Sequence, residues 1–331
     1  NTGSNGFPTS GFTRIEIAVA PSNEDVLYAI ADNGSNQDND IEFFITSSDG
    51  GASWTAVDIP NNTSGVHFTR GQGWYDLILA VSPVDANTVY AGGIDLYKST
   101  NSGTSWTQVS HWYGGFGLPY VHADQHSMAF RPNNSDFIVF SNDGGIHVSE
   151  DAGSTYDEKN SGYNVTQFYA CAIHPTAGSN YFLAGSQDNG SHQFSNASGI
   201  VSTVEVTGGD GAFCFIDQSD PDYQITSYVY NNYYISTNGG NNFYYLSNDN
   251  SGRFINPADY DDDSNILYSA VNENSLKKIQ DITGNYTEGT VSGLSLGSTA
   301  SHIRASPFSD NTIFVGTGSG RIFKLTNAHS D

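Results

Sequence analysis

Apolar positions in this chain come in short runs that alternate with polar ones, and each run stops at a cluster of Pro, Gly, Asn, Asp or Ser. A period-2 pattern bounded by turn formers belongs to half-buried β-strands, and no window of about 15 residues carries the 3.6-residue period of a helix. Ile17-Ala18-Val19-Ala20-Pro21 leads through a polar turn to Val26-Leu27-Tyr28, and Leu79-Ala80-Val81-Ser82-Pro83 leads likewise to Thr88-Val89-Tyr90. Anchored on the Pro position, the unit recurs at Pro21, Pro83, Pro132, Pro175, Gln218, Asp261 and Pro307, with a constant step of 43 residues from Pro132 to Asp261. A period of about 40 to 50 with some four short strands is that of a β-propeller blade. The expected fold is all-β, a single seven-bladed propeller over 1–331, with blades near 14–60, 74–110, 124–160, 167–206, 210–247, 253–292 and 299–328. The last unit shows three strands at most, so residues 1–13 are expected to add its outer strand and close the ring, because an open edge invites aggregation. Deleting 1–13 should then destabilise the fold strongly.

A second, shorter pattern occurs four times: Ser-x-Asp/Asn-x-Gly-x-Ser/Thr-aromatic, an Asp-box-like motif, at Ser47 to Trp54, Ser99 to Trp106, Ser149 to Tyr156 and, degraded, Ser236 to Phe243. Asp or Asn caps its own backbone, Gly takes a positive φ, and the aromatic pins the turn to the core. This is a folding element rather than a catalytic one.

Composition narrows the function. A formal charge of −24, from 11 basic and 35 acidic residues, excludes phosphate backbones and anionic membranes as natural partners. Aromatic residues at 13% need a core, which argues against disorder. No apolar run reaches the roughly 20 residues of a membrane span. The start, Asn-Thr-Gly-Ser-Asn-Gly, has neither Met nor a signal peptide, which reads as a mature or excised piece of a longer multidomain chain. Acidity with few Lys fits a secreted or cell-surface protein. Cys171 and Cys214 occupy equivalent positions 43 residues apart, which disfavours a disulfide and reads as two buried thiols.

The four turns, with Val121-His122-Ala123-Asp124-Gln125-His126, Ser141-Asn142-Asp143-Gly144-Gly145, Gly185-Ser186-Gln187-Asp188-Asn189-Gly190 and Gly208-Gly209-Asp210-Gly211, carry a resemblance. The chain resembles the secreted Asp-box (BNR-repeat) propellers of Bacteroidetes, glycosyl hydrolase-like proteins distantly similar to xyloglucanase-type glucanases and to the sortilin receptor propeller. The resemblance covers almost the whole chain. It implies the fold; the activity it leaves open, since sialidases, glucanases, lyases and receptors share such propellers.

In such a blade the turns between the third and fourth strands mark one face, and the entry to the first strand and the hairpin between the second and third mark the other. Entry positions are Thr13, Tyr75, Asp124, Gln167, Asp210, Arg253 and Thr299, and the hairpins supply Asp32, Asp95, Asp143, Asp188 and Asn272. Glycoside hydrolysis needs two carboxyl groups about 5 to 9.5 Å apart. Asp124 and Asp210 are the candidate catalytic pair, with Asp76 and Asp143 as other members. The candidate substrate-binding set is Asp76, Trp112, Tyr113, His126, Asp143, Gln167, Gln187, Asp188, Arg253 and Arg304. Turn capping is the alternative role for Asp143 and Asp188, and an ion pair with Asp210 is the alternative for Arg253. Two Gly-rich loops, His67 to Tyr75 and His111 to Tyr120, either stack on sugar rings or pack on each other as plugs.

No cofactor is required. His122, Asp124 and His126 share one side of a strand, but same-face residues lie about 7 Å apart, too far for one zinc ion without a bend. Ca²⁺ is the better match to this acidity, with Asp32 to Asp40 and Asp259 to Asp263 as oxygen-rich loops, although neither has EF-hand spacing. The expected activity is binding, and hydrolysis if catalytic, of a polysaccharide at the face bearing Asp124, Asp143, Gln187, Asp188 and Asp210. The rival is a receptor-like propeller that binds an extracellular protein or peptide. Neither nucleic acid nor membrane insertion is expected, and the chain is expected to be a monomer.

Overall fold

The computed structural model describes residues 5–37, 39–61, 65–163, 166–196 and 203–329. They contain 27 strands and no helix. The strands form seven consecutive antiparallel meander sheets, each built from neighbours in sequence: six of four strands and a last one of three. These are the blades of a seven-bladed β-propeller. Blade 1 spans 14–56, blade 2 78–108, blade 3 125–158, blade 4 170–207, blade 5 214–247, blade 6 258–291 and blade 7 300–326. The chain divides into two compact units, Asn1–Asn164 with blades 1 to 3 and Val165–Asp331 with blades 4 to 7.

Within each unit the core lies between neighbouring blades. Tyr28, Ile30 and Phe44 of blade 1 pack with Val89, Ala91 and Tyr97 of blade 2. Ile78, Tyr90 and Leu96 of blade 2 pack with Ile138 and Phe140 of blade 3. In the second unit Ile225 and Tyr233 meet Tyr260 and Leu267, and Tyr268 and Leu276 meet Ile303 and Val315. The period-2 pattern thus puts alternate side chains into the gaps between sheets.

The four short turns have a common geometry. In the first, Ser47 Oγ accepts the Gly51 N–H at 2.9 Å and donates to Asp49 Oδ1 at 2.8 Å, while the Ser53 N–H and Oγ donate to the two Asp49 oxygens at 2.8 and 2.5 Å. The backbone bonds recur around Asn101, Asp151 and Asn238, the hydroxyl bond recurs at Asp151, and at Asn101 the amide donates to Ser105 Oγ instead. Each turn joins the third strand of its blade to the fourth.

Among the described residues, 5–13 form no strand paired with blade 7. The described part lies on blade 1: Asn5 O accepts the Trp54 N–H at 2.7 Å, and Phe7 packs edge-on to Phe43 and Trp54. Residues 1–4 lie outside the described residues. The expectation of two buried thiols is corrected. Both cysteines are free, but only Cys214 is buried; Cys171 is exposed, because the first strand of blade 4, Ala170–Ile173, keeps alternate side chains on an open face.

Candidate functional site

In the first unit the approach to blade 2 is tied down by a buried carboxylate. Asp40 accepts Thr69 Oγ1 at 2.7 Å and the Gly73 N–H at 2.8 Å. A Cβ on Gly73 would stand 2.9 Å from Asp40 Oδ2 and 3.1 Å from Asp32 Oδ2, so only glycine lets the loop come this close. The turn after it bonds the Tyr75 and Asp76 N–H groups to Gln72 O and delivers both side chains to the head of the strand Ile78–Val81.

The approach to blade 3 places the next acid. The Gln125 N–H is bonded to Gly93 O of blade 2, and the Gln125 side chain donates to His122 O. Between them Asp124 is left-handed, at φ 63°. A side chain held there is strained and is typical of functional positions. The backbone bends here, and both His122 and His126 act electrostatically on the Asp124 carboxyl.

The hairpin of blade 3 supplies the third acid. Asp143 Oδ2 accepts the Tyr75 hydroxyl at 2.9 Å, and Asp143 Oδ1 lies 2.5 Å from His126 Nε2. The Tyr75 and His126 rings meet edge to face. Gly144 leaves the room that the His122 ring fills. Carboxylate oxygens of Asp124 and Asp143 come within 4.8 Å of each other.

These carboxyls are electrostatically uneasy. Asp76 is fully buried, and its carboxyl has no partner other than the facing Asp124 carboxyl. Burial, then the facing Asp124, pushes Asp76 up to about 9. Burial, then Asp143, pushes Asp124 up to about 6. The Asp76 and Asp124 carboxyls stand close enough to share a proton. Such a centre offers an acid near neutrality, acceptors for hydroxyl groups, or oxygens for a hard cation.

The first aromatic loop reaches this centre through Tyr75, and both loops are held through Asp95. One Asp95 oxygen accepts the Trp112 N–H at 2.8 Å; the other lies 3.6 Å from Arg70 of the first loop. Burial, opposed by Arg70 and the Trp112 N–H, pushes Asp95 up to about 6. The rings of His111, Trp112, Tyr113 and Phe116 pack within their own loop, yet Trp74, Trp112, Tyr113 and Phe116 remain exposed. They are therefore not the mutual plugs weighed above.

In the second unit Asp210 and Asp188 are joined: Asp210 Oδ1 accepts the Asp188 N–H at 3.1 Å. Two backbone bonds, Gly190 N–H to Gly209 O and Gly211 N–H to Ser186 O, lock the blade 4 hairpin to the approach of blade 5. The Tyr169 hydroxyl donates to Gln187 Oε1, and burial with Asp188 and Asp210 raises its pKa. The Tyr228 ring lies against Gly209.

Other expected residues fall elsewhere. Gln167 is exposed ahead of its strand. Arg253 is exposed and bonds Asn256 through its N–H; no ion pair with Asp210 occurs among the described residues. Arg304 pairs with Asp259 at 3.0 Å in a cleft of about 460 Å³ along the first strands of blades 4 to 7, which Gln187, Asp188 and Asp210 do not line.

In the two loops expected for Ca²⁺, Asp32, Asp259 and Asp262 take protein donors, while Asp32 Oδ2 is buried without one and Asp38 lies outside the described residues. Asp32 accepts Thr13 and the Gly34 N–H, Asp259 accepts Arg304 and the Ala305 N–H, and Asp262 accepts the Gln218 N–H. Among the described residues neither loop gathers three ligand groups. Tyr228 carried no site signal in the sequence, and Tyr75 and Asp40 stood out only as a strand-entry position and as part of an acidic loop; their contacts appear only when residues far apart in the chain meet.

No helix among the described residues is long and apolar enough to cross a membrane. No family model matches the chain. A stretch of 164 residues is 29% identical to a xyloglucanase of Hypocrea jecorina, covering 42% of this chain and 19% of that protein. The chain thus spans under a fifth of that curated relative. Among solved structures, an ancestral GH74 enzyme is 18% identical with a TM-score of 0.38, over 76% of this chain and 36% of that one. YCF48 bound to the D1 peptide is 14% identical with a TM-score of 0.37, over 99% of each chain. The propeller fold rests on the chain's own seven sheets, and its likeness in sequence reaches a xyloglucanase over part of its length.

Proposed function

We propose that this protein binds a neutral polysaccharide at the Asp124–Asp143 centre of its first unit, with Trp112, Tyr113 and Trp74 as stacking surfaces. One observation carries the reading: carboxyl oxygens within 4.8 Å of each other are reached by Tyr75 of an aromatic loop whose Trp74 ring stays exposed, as do Trp112 and Tyr113 of the second loop. Sugars present hydroxyl donors to carboxylates and apolar ring faces to aromatic side chains. A charge of −24 repels polyanions, which favours a neutral chain. The partial similarity to a xyloglucanase supports the same ligand class. Under this reading the protein works as a secreted or cell-surface monomer, within a longer chain.

Within the second unit, Gln187, Asp188 and Asp210 form their own set of candidate hydroxyl contacts. Asp124 and Asp210, the expected catalytic pair, enter as ligand contacts, and their amides separate binding from cleavage. Asp124→Asn and Asp210→Asn should weaken binding. If either spared binding but abolished release of reducing ends, the chain would be a hydrolase and the binding-only reading would fall. Capture of a protein ligand unaffected by added sugars would favour the receptor reading.

A further inference from the structure

We propose that Tyr228, Tyr234 and Tyr245 of blade 5 form a second polysaccharide-binding site, a stacking strip that runs outward from the Asp188–Asp210 pair. All five residues belong to the second unit and none to the Asp124–Asp143 centre; the ligand class rests on the polysaccharide reading. The first argument is what the fold requires at these positions. In the four short turns the aromatic position is held by Trp54, Trp106, Tyr156 and Phe243, and in each the next two residues lie in the outermost strand. They are Thr55-Ala56, Thr107-Gln108 and Asp157-Glu158 in blades 1 to 3, small or polar side chains suited to water. Blade 5 carries Tyr244-Tyr245 there, 64% and 65% exposed, on the strand Tyr244–Ser247. Phe243 already fills the aromatic position of the turn, so folding does not call for two further rings, and large rings left in water mark a contact surface.

Geometry is the second argument. The register of the last two strands sets Tyr234 opposite Tyr245, and the bulge beside them leaves Leu246 without a cross-strand partner and buried. The Tyr234 and Tyr245 rings pack with centroids 4.8 Å apart at 31°, so each holds the other in place. The Tyr228 ring lies against Gly209, next to Asp210. Burial, then Asp210 and Asp188, raises the Tyr228 pKa, and Tyr230 and Tyr245 add to it. Burial, then Tyr245 and Tyr228, raises that of Tyr234. Phenol and carboxyl groups that act on one another in this way form one continuous array, and every phenol in it stays a hydroxyl donor. Chemistry selects the occupant. Ring faces stack on the apolar faces of sugars, phenol and carboxyl groups bond their hydroxyls, and the Asp188 and Asp210 carboxylates turn acidic chains away. A proline-rich segment also packs on tyrosines, but its prolines have no N–H to offer those carboxylates.

The test is calorimetric titration of xyloglucan, mixed-linkage β-glucan and galactomannan oligosaccharides into the 331-residue chain and its variants, with melting temperature followed in parallel. At least one of these should bind at about two per chain, falling to about one in Tyr245→Ala and to about one in Trp112→Ala. Tyr245→Phe, which keeps the ring, should retain the second site, and Tyr234→Ala should lose it. Tyr245 is exposed, so Tyr245→Ala should leave the melting temperature unchanged and remains informative if Tyr234→Ala fails to fold. A stoichiometry indifferent to both Tyr245→Ala and Tyr234→Ala would overturn the proposal and leave the Asp124–Asp143 reading intact. Loss of one equivalent in Tyr245→Ala, with none lost in Trp112→Ala, would keep the strip and remove the site in the first unit. Binding of no oligosaccharide would overturn both, and a proline-rich peptide bound by the parent chain but lost in Tyr245→Ala would then assign the strip to a protein partner.

Discussion

Asp49 organises a whole turn with one carboxylate, which accepts Ser47, the Ser53 N–H and the Ser53 hydroxyl. Those bonds favour the ionised form and hold its pKa down to about 2, and the matching bonds at Asp151 lower that group too. A lowered folded pKa contributes stability that is present above the unfolded value of 3.8 and lost as pH falls towards 2. Asn101 and Asn238 build the same turn with a neutral amide. Asp49→Asn should therefore keep the fold near neutrality and flatten the loss of melting temperature between about pH 4 and pH 2. Asp49→Ala should lower the melting temperature at neutral pH as well. An acid limb unchanged in Asp49→Asn would show that the turn carboxylate does not couple to folding.

Blades are legible in the chain because each repeats the same sequence of strand, turn and strand, and turn residues obey local rules. The convergence of side chains is not. The 43-residue step relates Asp124 to Asp210, yet Asp124 immediately precedes its strand, Gln125–Phe130, whereas Asp210 stands four residues ahead of Cys214–Ile216. Period and spacing place residues along the chain, but the contacts of Tyr75 with Asp143, and of Tyr228 with Gly209, depend on how neighbouring blades meet. Cys171 was misread because alternation alone does not tell which face of a strand is covered. Close approach between blades 4 and 5 yields a prediction. A Cβ on Gly185 would stand 2.3 Å from the backbone oxygen of Ala212, a group that cannot swing away. Gly185→Ala should cost about 1–3 kcal/mol in urea unfolding; a cost within experimental error would mean the blades adjust freely. At the other end of the chain, Phe7→Ala should lower the melting temperature, because it uncovers Phe43 and Trp54 of blade 1. An unchanged value would make the N-terminal segment a passive appendage.

For the molecule as a whole, the charge of −24 separates into two kinds of acid. Asp49, Asp85, Asp151 and Asp259 are held by hydroxyls, backbone N–H groups or Arg304, and they maintain the blades. Asp76 and Asp124 are buried with no side-chain partner for their facing oxygens but each other, and burial with the neighbouring acid raises both. In the same unit, on loops carried by blades with buried cores, the rings of Trp74, Trp112, Tyr113 and Phe116 stay in water. A stable frame with an uneasy, aromatic-flanked centre is the pattern of a binding site. Trp112 gives the cleanest probe, because its backbone N–H anchors the loop to Asp95 while its ring is free to stack. Affinity for soluble xyloglucan, mixed-linkage β-glucan and galactomannan, measured by calorimetry on the parent chain and on Trp112→Ala, tests the central claim. The account predicts binding to at least one of these, weakened about tenfold or more in Trp112→Ala by the 1–3 kcal/mol of a buried aromatic face, with the melting temperature unchanged. Binding to none of them, or binding of equal strength in the variant, would contradict it.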